Sequence, residues 1–247
     1  MKAPAPAALF AALEATWPAA EVRECGPFRL RRGAGGGKRV SAATCEGDWQ
    51  EADIAAAEAG MRAMGEAPLF MIRPGDEALD AALAARGHAL VDPVLVLAAP
   101  VAAIAAHAPP GMACLSVERP LAIMREIWAA GGIGPARLQV MERAAAPHRS
   151  FLARQNDRPA GVAFAAVAGD IAMLHALHVS SEMRRQGVAR NILGRAAEWA
   201  QHFGTKWFSA VTTGENMPAH RLFAGLGMQA VANYHYRLWI TPGTESR

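Results

Sequence analysis

The spacing of apolar and polar positions changes character within residues 171–203. Residues 171–179, IAMLHALHV, are almost entirely apolar, which favours a buried strand. A polar turn rich in Arg and Gln follows, and apolar residues then recur at helical spacing at Val188, Ile192, Ala196, Trp199 and Phe203. The pattern predicts a strand, a turn and a helix in that order.

Similar patterns predict the elements on either side. Helices are expected at 7–16, 54–64, 77–86, 116–130 and 136–144, and strands at 28–32, 40–45, 68–73, 88–97, 150–155, 161–168 and 206–213. The glycine-rich turn at 33–37 admits two interpretations, a flexible hairpin or a phosphate loop. The hairpin is favoured, because Lys38 is followed by Arg39 and not by the Ser or Thr that a phosphate loop requires.

The turn before the helix at Val188 carries a candidate binding site. Gly187 and Ala189 lie where the helix starts, so several backbone N–H groups have no partner within the helix. Those groups and the helix dipole favour a phosphate or pyrophosphate, and Arg184, Arg185 and Arg190 add positive charge. The turn therefore predicts an anion site.

At these residues the chain resembles the GNAT family of acetyltransferases, which use acetyl-CoA. Arg184, Gly187 and Ala189 match the family pattern [Arg/Gln]-x-x-Gly-x-[Gly/Ala]. The family's second pattern, Asn-x-x-Ala-x-x-Leu-Tyr-x-x-x-Gly-Phe, is similar to Asn216, Ala219, Leu222, Phe223, Gly227 and Met228. The resemblance implies an α/β protein of the α+β type, with a mixed, mostly antiparallel, twisted sheet flanked by helices.

The two halves of the chain end in similar patterns. Each has a strand, a helix stopped by glycine (Gly87 and Gly227) and a further strand. We therefore predict a tandem duplication, with a degenerate GNAT-like domain at 1–105 and an acetyl-CoA-binding domain at 106–247. The alternative is an unrelated α/β domain in the first half that shares a common ending.

The resemblance implies direct transfer of an acetyl group from acetyl-CoA to an amine acceptor, with a small molecule favoured. It places pantetheine beside the backbone of His178 and Val179. The phosphates and the rest of the cofactor would then be held by Arg184, Arg185, Gln186, Gly187, Val188, Ala189, Arg190, Asn216 and Phe223. The alternatives are a CoA-binding or regulatory module without turnover, and an acetyltransferase acting on protein N-termini or lysines.

Proton transfer requires a base and an acid. His175 is similar in position to a histidine that removes a proton in arylalkylamine N-acetyltransferases, although Met173 stands where that family has a second histidine. Regular alternation would put His175 and His178 on opposite faces of the strand, and a buried structural role for His175 is the alternative. Because Phe223 replaces the usual tyrosine, the acid candidates are Tyr234 and Tyr236, the two tyrosines of the chain, and the alternative is a proton from water.

Charge and cysteine content narrow the classes of binding partner that the sequence favours. The net charge is only +3, from 25 basic and 22 acidic residues, which favours neither nucleic acid nor a membrane surface. The three cysteines are widely spaced and form no metal motif. We expect a cytoplasmic monomer or homodimer that uses acetyl-CoA as co-substrate and no metal.

Overall fold

The computed structural model of the protein describes residues 2–145 and 147–240. The helices there are α1 (Pro6–Thr16), α2 (Lys38–Ser41), α3 (Glu51–Ala63), α4 (Glu77–Ala85), α5 (Val101–Ala105), α6 (Ala122–Ala130), α7 (Pro135–Arg143), α8 (Val188–Gln201) and α9 (Met217–Ala224). The strands are β1 (Glu21–Cys25), β2 (Phe28–Arg32), β3 (Thr44–Cys45), β4 (Leu69–Ile72), β5 (His88–Pro100), β6 (Cys114–Val117), β7 (His148–Gln155), β8 (Arg158–Ala168), β9 (Ile171–Val179), β10 (Trp207–Thr213) and β11 (Gln229–Trp239).

The chain forms two compact units, and neither is one continuous stretch. The first unit runs up to Pro18 and then from Val96 to Val231, while the second comprises Ala19–Leu95 and the chain from Ala232 onward. The first unit therefore includes α1 and the end of β5. The predicted boundary near residue 105 stays a prediction.

The first unit is built on a mixed sheet. Its strands lie in the order β5-β10-β9-β8-β7-β6. The pairs β6/β7, β7/β8 and β8/β9 are antiparallel, and β9/β10 is parallel. Helices α1, α6 and α8 pack against these strands. This confirms the predicted fold class, a mostly antiparallel mixed sheet flanked by helices.

Helix α8 is amphipathic, as its sequence predicts. Its apolar stripe is buried at Val188, Ile192, Leu193, Ala196, Ala197 and Ala200. Gly194 is needed where α8 meets the chain after α5, because a Cβ there would lie 2.3 Å from the carbonyl oxygen of His107. The predicted stripe is wrong at its last member, since Phe203 lies beyond the helix and is exposed.

The second unit contains a three-stranded antiparallel sheet, β1-β2-β3, and an antiparallel pair of β4 with β11. Ala43 and Phe70 form one parallel bridge just before β3 and within β4. The core of this unit is apolar and includes Phe28, Ile54, Met61, Phe70 and Leu83.

Two predicted elements are wrong in part. The predicted strand at 40–45 is instead the short helix α2 followed by β3, because the backbone N–H groups of Gly33 and Ala34 donate to the Glu66 carboxylate at 2.8 and 3.2 Å and hold the turn in another shape. The predicted helix at 116–130 starts later, since Ser116 pairs with Phe151 as part of β6.

Within the described residues no helix is long and apolar enough to cross a membrane.

In the second unit Asp80 of α4 contacts two basic side chains of the last strand, β11. Its carboxylate accepts hydrogen bonds from Arg237 Nε at 2.7 Å and Nη2 at 3.0 Å, and it lies 2.7 Å from His235 Nε2. The hydrogen bonds from Arg237, aided by those from His235, lower the pKa of Asp80 to about 2 despite partial burial.

We predict that the Asp80 carboxylate makes the free energy of unfolding depend on pH in the acidic range. Because the pKa of Asp80 is lower in the folded state, its contribution is present above pH 4 and is lost as the pH falls toward 2. The fall in pKa from 3.8 to about 2 corresponds to at most about 2.4 kcal/mol, which solvent screening reduces. Asp80→Asn should lower the free energy of unfolding at pH 7 by about 1–2 kcal/mol and flatten its dependence between about pH 5 and 2. Urea titrations across that range measure both.

Asp157→Asn is the control, since that side chain is 97% exposed and pairs with Arg154 in a turn. Parallel stability curves for the wild type and Asp80→Asn would contradict the assignment.

Candidate functional site

Strands β9 and β10 run side by side and then separate. Their parallel pairing covers Ile171 to Leu174 on β9 and Trp207 to Ala210 on β10. Both strands continue beyond these residues, β9 to Val179 and β10 to Thr213. Beyond these residues the backbone groups of the two strands are not paired with one another, and we call the space between the two strand ends the cleft.

A β-bulge marks the place where the strands part. On the β8 side, His175 pairs with Phe164 and His178 pairs with Val162, so β9 advances three residues while β8 advances two. The extra residue is accommodated at Ala176, which has a left-handed φ of 52°.

The bulge overturns the predicted alternation of the two histidines. Residues opposite each other on paired strands point to the same side, and Val162 and Phe164 share a face because they are two apart. His175 and His178 therefore lie on the same face of the sheet. The sequence rule fails because one extra residue reverses every later position.

Helix α6 packs against β8 and β9 and contacts the bulge. Trp128 is fully buried, and its indole Nε1 donates to the carbonyl oxygen of Ala176 at 2.8 Å. At the end of the same helix, Gly131 lies against the ring of His178. A Cβ at Gly131 would come within 2.4 Å of His178 Nδ1.

His175 is enclosed by the end of α1. Its side chain is 4% exposed, its ring stacks on Trp17 at 4.9 Å, and its Nε2 lies 2.9 Å from the Thr16 hydroxyl oxygen. That hydroxyl donates its own proton to the Ala12 carbonyl at 2.6 Å. Its oxygen can therefore only accept from His175, which puts a proton on Nε2.

His178 is half-buried on the section of β9 beside the cleft. Burial lowers its pKa below the usual value, and the positive charge of Arg184 lowers it further. His178 is therefore neutral at pH 7 and able to accept a proton.

The turn after β9 forms the predicted helix start. Gly187 adopts the left-handed conformation (φ 83°, ψ −4°) at the N-cap of α8, and a Cβ there would meet no protein atom within 4 Å. Because α8 starts at Val188, the N–H groups of Val188, Ala189 and Arg190 have no carbonyl one turn earlier to bond. They form the open, positive end of the helix.

The side chains of this turn take up different positions. Arg184, Arg185, Gln186 and Arg190 are exposed, whereas Val188 is buried. Arg184 donates through Nε to the Val179 carbonyl at 3.2 Å, and Gln186 donates to the Glu182 carbonyl at 3.0 Å. These bonds fold the turn back on the end of β9, so the charges stay close to the cleft.

Asn216 and Phe223 stand at the two ends of α9. The Asn216 side chain caps the helix by accepting from the Ala219 N–H at 3.2 Å, and Phe223 is buried. Both observed roles are structural, and their contact with a cofactor stays a prediction.

Tyr234 and Tyr236 belong to the second unit, whereas the two histidines and the turn belong to the first. Both are buried on β11, with their rings edge to face at 5.5 Å. Burial raises the pKa of Tyr236 well above its usual value. The role of either tyrosine as an acid stays a prediction.

Sequence reasoning missed the residues that surround the histidines. Thr16 and Trp17 lie almost 160 positions before His175, and Trp128 and Gly131 looked like an ordinary helix face and helix stop. No local pattern identifies these long-range contacts. Among the described residues, no group of three or more His, Cys, Asp or Glu side chains is placed to hold a metal ion.

Comparison with known proteins agrees with this geometry. Residues 121–228 match the model of the acetyltransferase (GNAT) family. No curated protein matches the chain.

Several solved structures share the fold. A GCN5-related N-acetyltransferase from Kribbella flavida is 17% identical with a TM-score of 0.71, over 98% of this chain and 98% of that one. A protein of unknown function from Staphylococcus epidermidis is 11% identical with a TM-score of 0.68, over 91% and 96%. A tandem GNAT protein from the clavulanic acid biosynthesis pathway is 12% identical with a TM-score of 0.58, over 95% and 88%.

The last similarity is consistent with the predicted duplication. The bulged strand and the open helix start both lie within residues 121–228, the segment, a little under half of the chain, that is similar to the acetyltransferase (GNAT) family.

Proposed function

We propose that the protein binds acetyl-CoA and transfers its acetyl group to the amine of a small molecule. The observation that carries this proposal is the cleft between β9 and β10, which leads directly to the open start of α8. An extended chain with amide groups and a phosphate end fits such a place, and acetyl-CoA is a molecule of that kind.

The cleft supports binding of the pantetheine arm. Beyond Leu174 and Ala210 the two strands offer backbone donors and acceptors on their facing edges. An extended ligand that pairs with such an edge gains main-chain hydrogen bonds, as an added strand does. The carbonyl of Val179 is already used by Arg184, so the backbone of His178 and the neighbouring N–H groups, and not the imidazole, are the contacts we assign to the arm.

The turn supports binding of the phosphates. Three N–H groups at the start of α8 point out of the helix, and the dipole favours negative charge there by about 0.3–1 kcal/mol per interaction. Arg184 and Arg185 are exposed beside them. Arg190 lies near the end of α9, beside Gly225, where its charge also suits the helix terminus.

We further propose that the first half of the sequence, residues 1–105, is a degenerate copy without a cofactor site. In the second unit the loop between β3 and α3 carries Glu46 and Asp48, whose charge would repel a phosphate. Arg73 does not offset it, because it binds Glu46 at 3.2 Å and the backbone carbonyl of Cys45. The acetyl-CoA site is therefore assigned to 106–247.

The acetyl transfer itself needs an oriented thioester, a base for the amine proton and a donor for the thioester oxygen. The cleft supplies the orientation, and a backbone N–H near Val179 is our candidate donor. The base is a histidine of β9, either His175 or His178. Tyr234, Tyr236 and water stay the candidates for protonating the thiolate.

The first test is calorimetric titration with acetyl-CoA, followed in the same sample by thiol release with a panel of small amines and peptides. We expect binding with a 1:1 stoichiometry and acetyl-dependent release with a subset of small amines. Binding without release from any amine would favour a regulatory module, and release only with peptides would favour a protein acetyltransferase. Absence of binding would contradict the proposal.

The second test concerns Gly187. Gly187→Val places a branched side chain at a left-handed φ in the anion turn, so the affinity for acetyl-CoA should fall at least about 30-fold as the N–H groups move. Gly169→Val is a matched control, because Gly169 also has a positive φ (57°) and open space around it but lies in the β8–β9 turn. Equal affinities of the two variants would remove the anion turn from the site.

A further inference from the structure

We propose that His178, and not His175, accepts the proton of the attacking amine, and that Gly131 positions the imidazole of His178. The proposal rests on the proposed acetyl transfer. It chooses between two histidines that the bulge at Ala176 places on one face of β9.

The His175 side chain packs against the end of α1 and hydrogen-bonds to it. Its Nε2 donates to Thr16 and its ring stacks on Trp17, with Phe164 at 6.4 Å on another side. At 4% exposure it offers an incoming amine no approach without displacement of α1. A base must come within about 3 Å of the proton it removes, directly or through one water.

His178 meets the requirements that His175 does not. It is half-buried, so an amine or a water can reach its ring. Its low pKa keeps it neutral at pH 7. The residue of β8 that faces His178 is the apolar Val162. The charged residues of α6, Arg125 and Glu126, are exposed. Arg184 is the cation that lowers the pKa of His178.

His178 also lies at the right point along the cleft. The phosphate end of the ligand is assigned to the turn at Gly187, and the pantetheine arm runs from there back along β9. Its thioester end therefore lies toward the bulge at Ala176. His178 stands between the turn and the bulge, beside the reacting carbonyl.

The step conserves atoms and charge. The lone pair of the neutral amine forms a bond to the thioester carbon, and the amine proton passes to a ring nitrogen of His178. The carbon–sulfur bond then breaks, and its electron pair leaves on the thiolate. The imidazolium returns the proton through water to the thiolate, giving the amide, CoA and neutral His178.

Gly131 determines where the ring can lie. A Cβ there would be 2.4–2.6 Å from Nδ1, Cε1 and Cγ of His178, closer than atoms can pack. Any larger residue must push the imidazole away from α6. Gly131 is thus a positioning residue, and its replacement should act on the rate through His178 only.

The kinetic test compares His178→Gln, His175→Gln and Gly131→Ala with the amine found in the panel. His178→Gln should lower kcat/KM at least about 100-fold, leave the affinity for acetyl-CoA unchanged and remove the acidic limb of the pH profile. Gly131→Ala should lower the rate about 10-fold in the parent but not in the His178→Gln background. His202→Gln, an exposed histidine after α8, is the control.

A wild-type rate and pH profile in His178→Gln would overturn the proposal, as would a larger loss in His175→Gln at unchanged thermal stability. Additive effects of Gly131→Ala and His178→Gln would overturn the positioning role.

A chemical test does not depend on turnover. Diethyl pyrocarbonate modifies accessible neutral imidazoles, and peptide mapping identifies them. His178 should react at least 10-fold faster than His175, and CoA should protect it. Equal reactivity, or no protection at a CoA concentration that calorimetry shows to be saturating, would contradict the assignment. Absence of CoA binding would instead be a failure of the proposed function.

Discussion

The β-bulge at Ala176 is the constraint on which the site depends. A left-handed φ at a residue with a Cβ costs about 1–2 kcal/mol. The hydrogen bond from Trp128 to the Ala176 carbonyl offsets about 1 kcal/mol of this cost, and burial of the whole indole stabilises the bulge further. The same extra residue coincides with the parting of β9 from β10 and turns His178 to the face of His175. A regular strand would place the two imidazole rings on opposite faces of the sheet.

Two helices then give the two histidines different chemistry on one face. The end of α1 covers His175 with Thr16 and Trp17, which fixes a tautomer and excludes solvent. The end of α6 has no side chain at Gly131, which leaves the His178 ring against backbone and half-open. Burial depth and hydrogen bonding therefore decide which imidazole can exchange a proton, although sequence alone presents two similar histidines three residues apart.

Sequence reasoning succeeds where local periodicity and one glycine determine the structure. The change from a continuous apolar strand to a helical stripe, with Gly187 between, predicts β9, the turn and α8 within two residues. It fails where a distant residue decides. Glu66 captures the N–H groups of Gly33 and Ala34, so a turn that looked like a hairpin leads into a helix. The bulge falls on an alanine, a residue with no preference for positive φ, and no local signal could have placed it there.

The two units also differ in how they use free backbone N–H groups. In the second unit α3 begins with a capping box, in which the Asp53 carboxylate accepts from the Gln50 N–H at 2.9 Å. This carboxylate occupies the position beside the helix start that an external anion would need. At α8 the N-cap is Gly187, which has no side chain to satisfy the helix. A helix start without its own cap is less stable alone, and it is the start that can gain most from a bound phosphate.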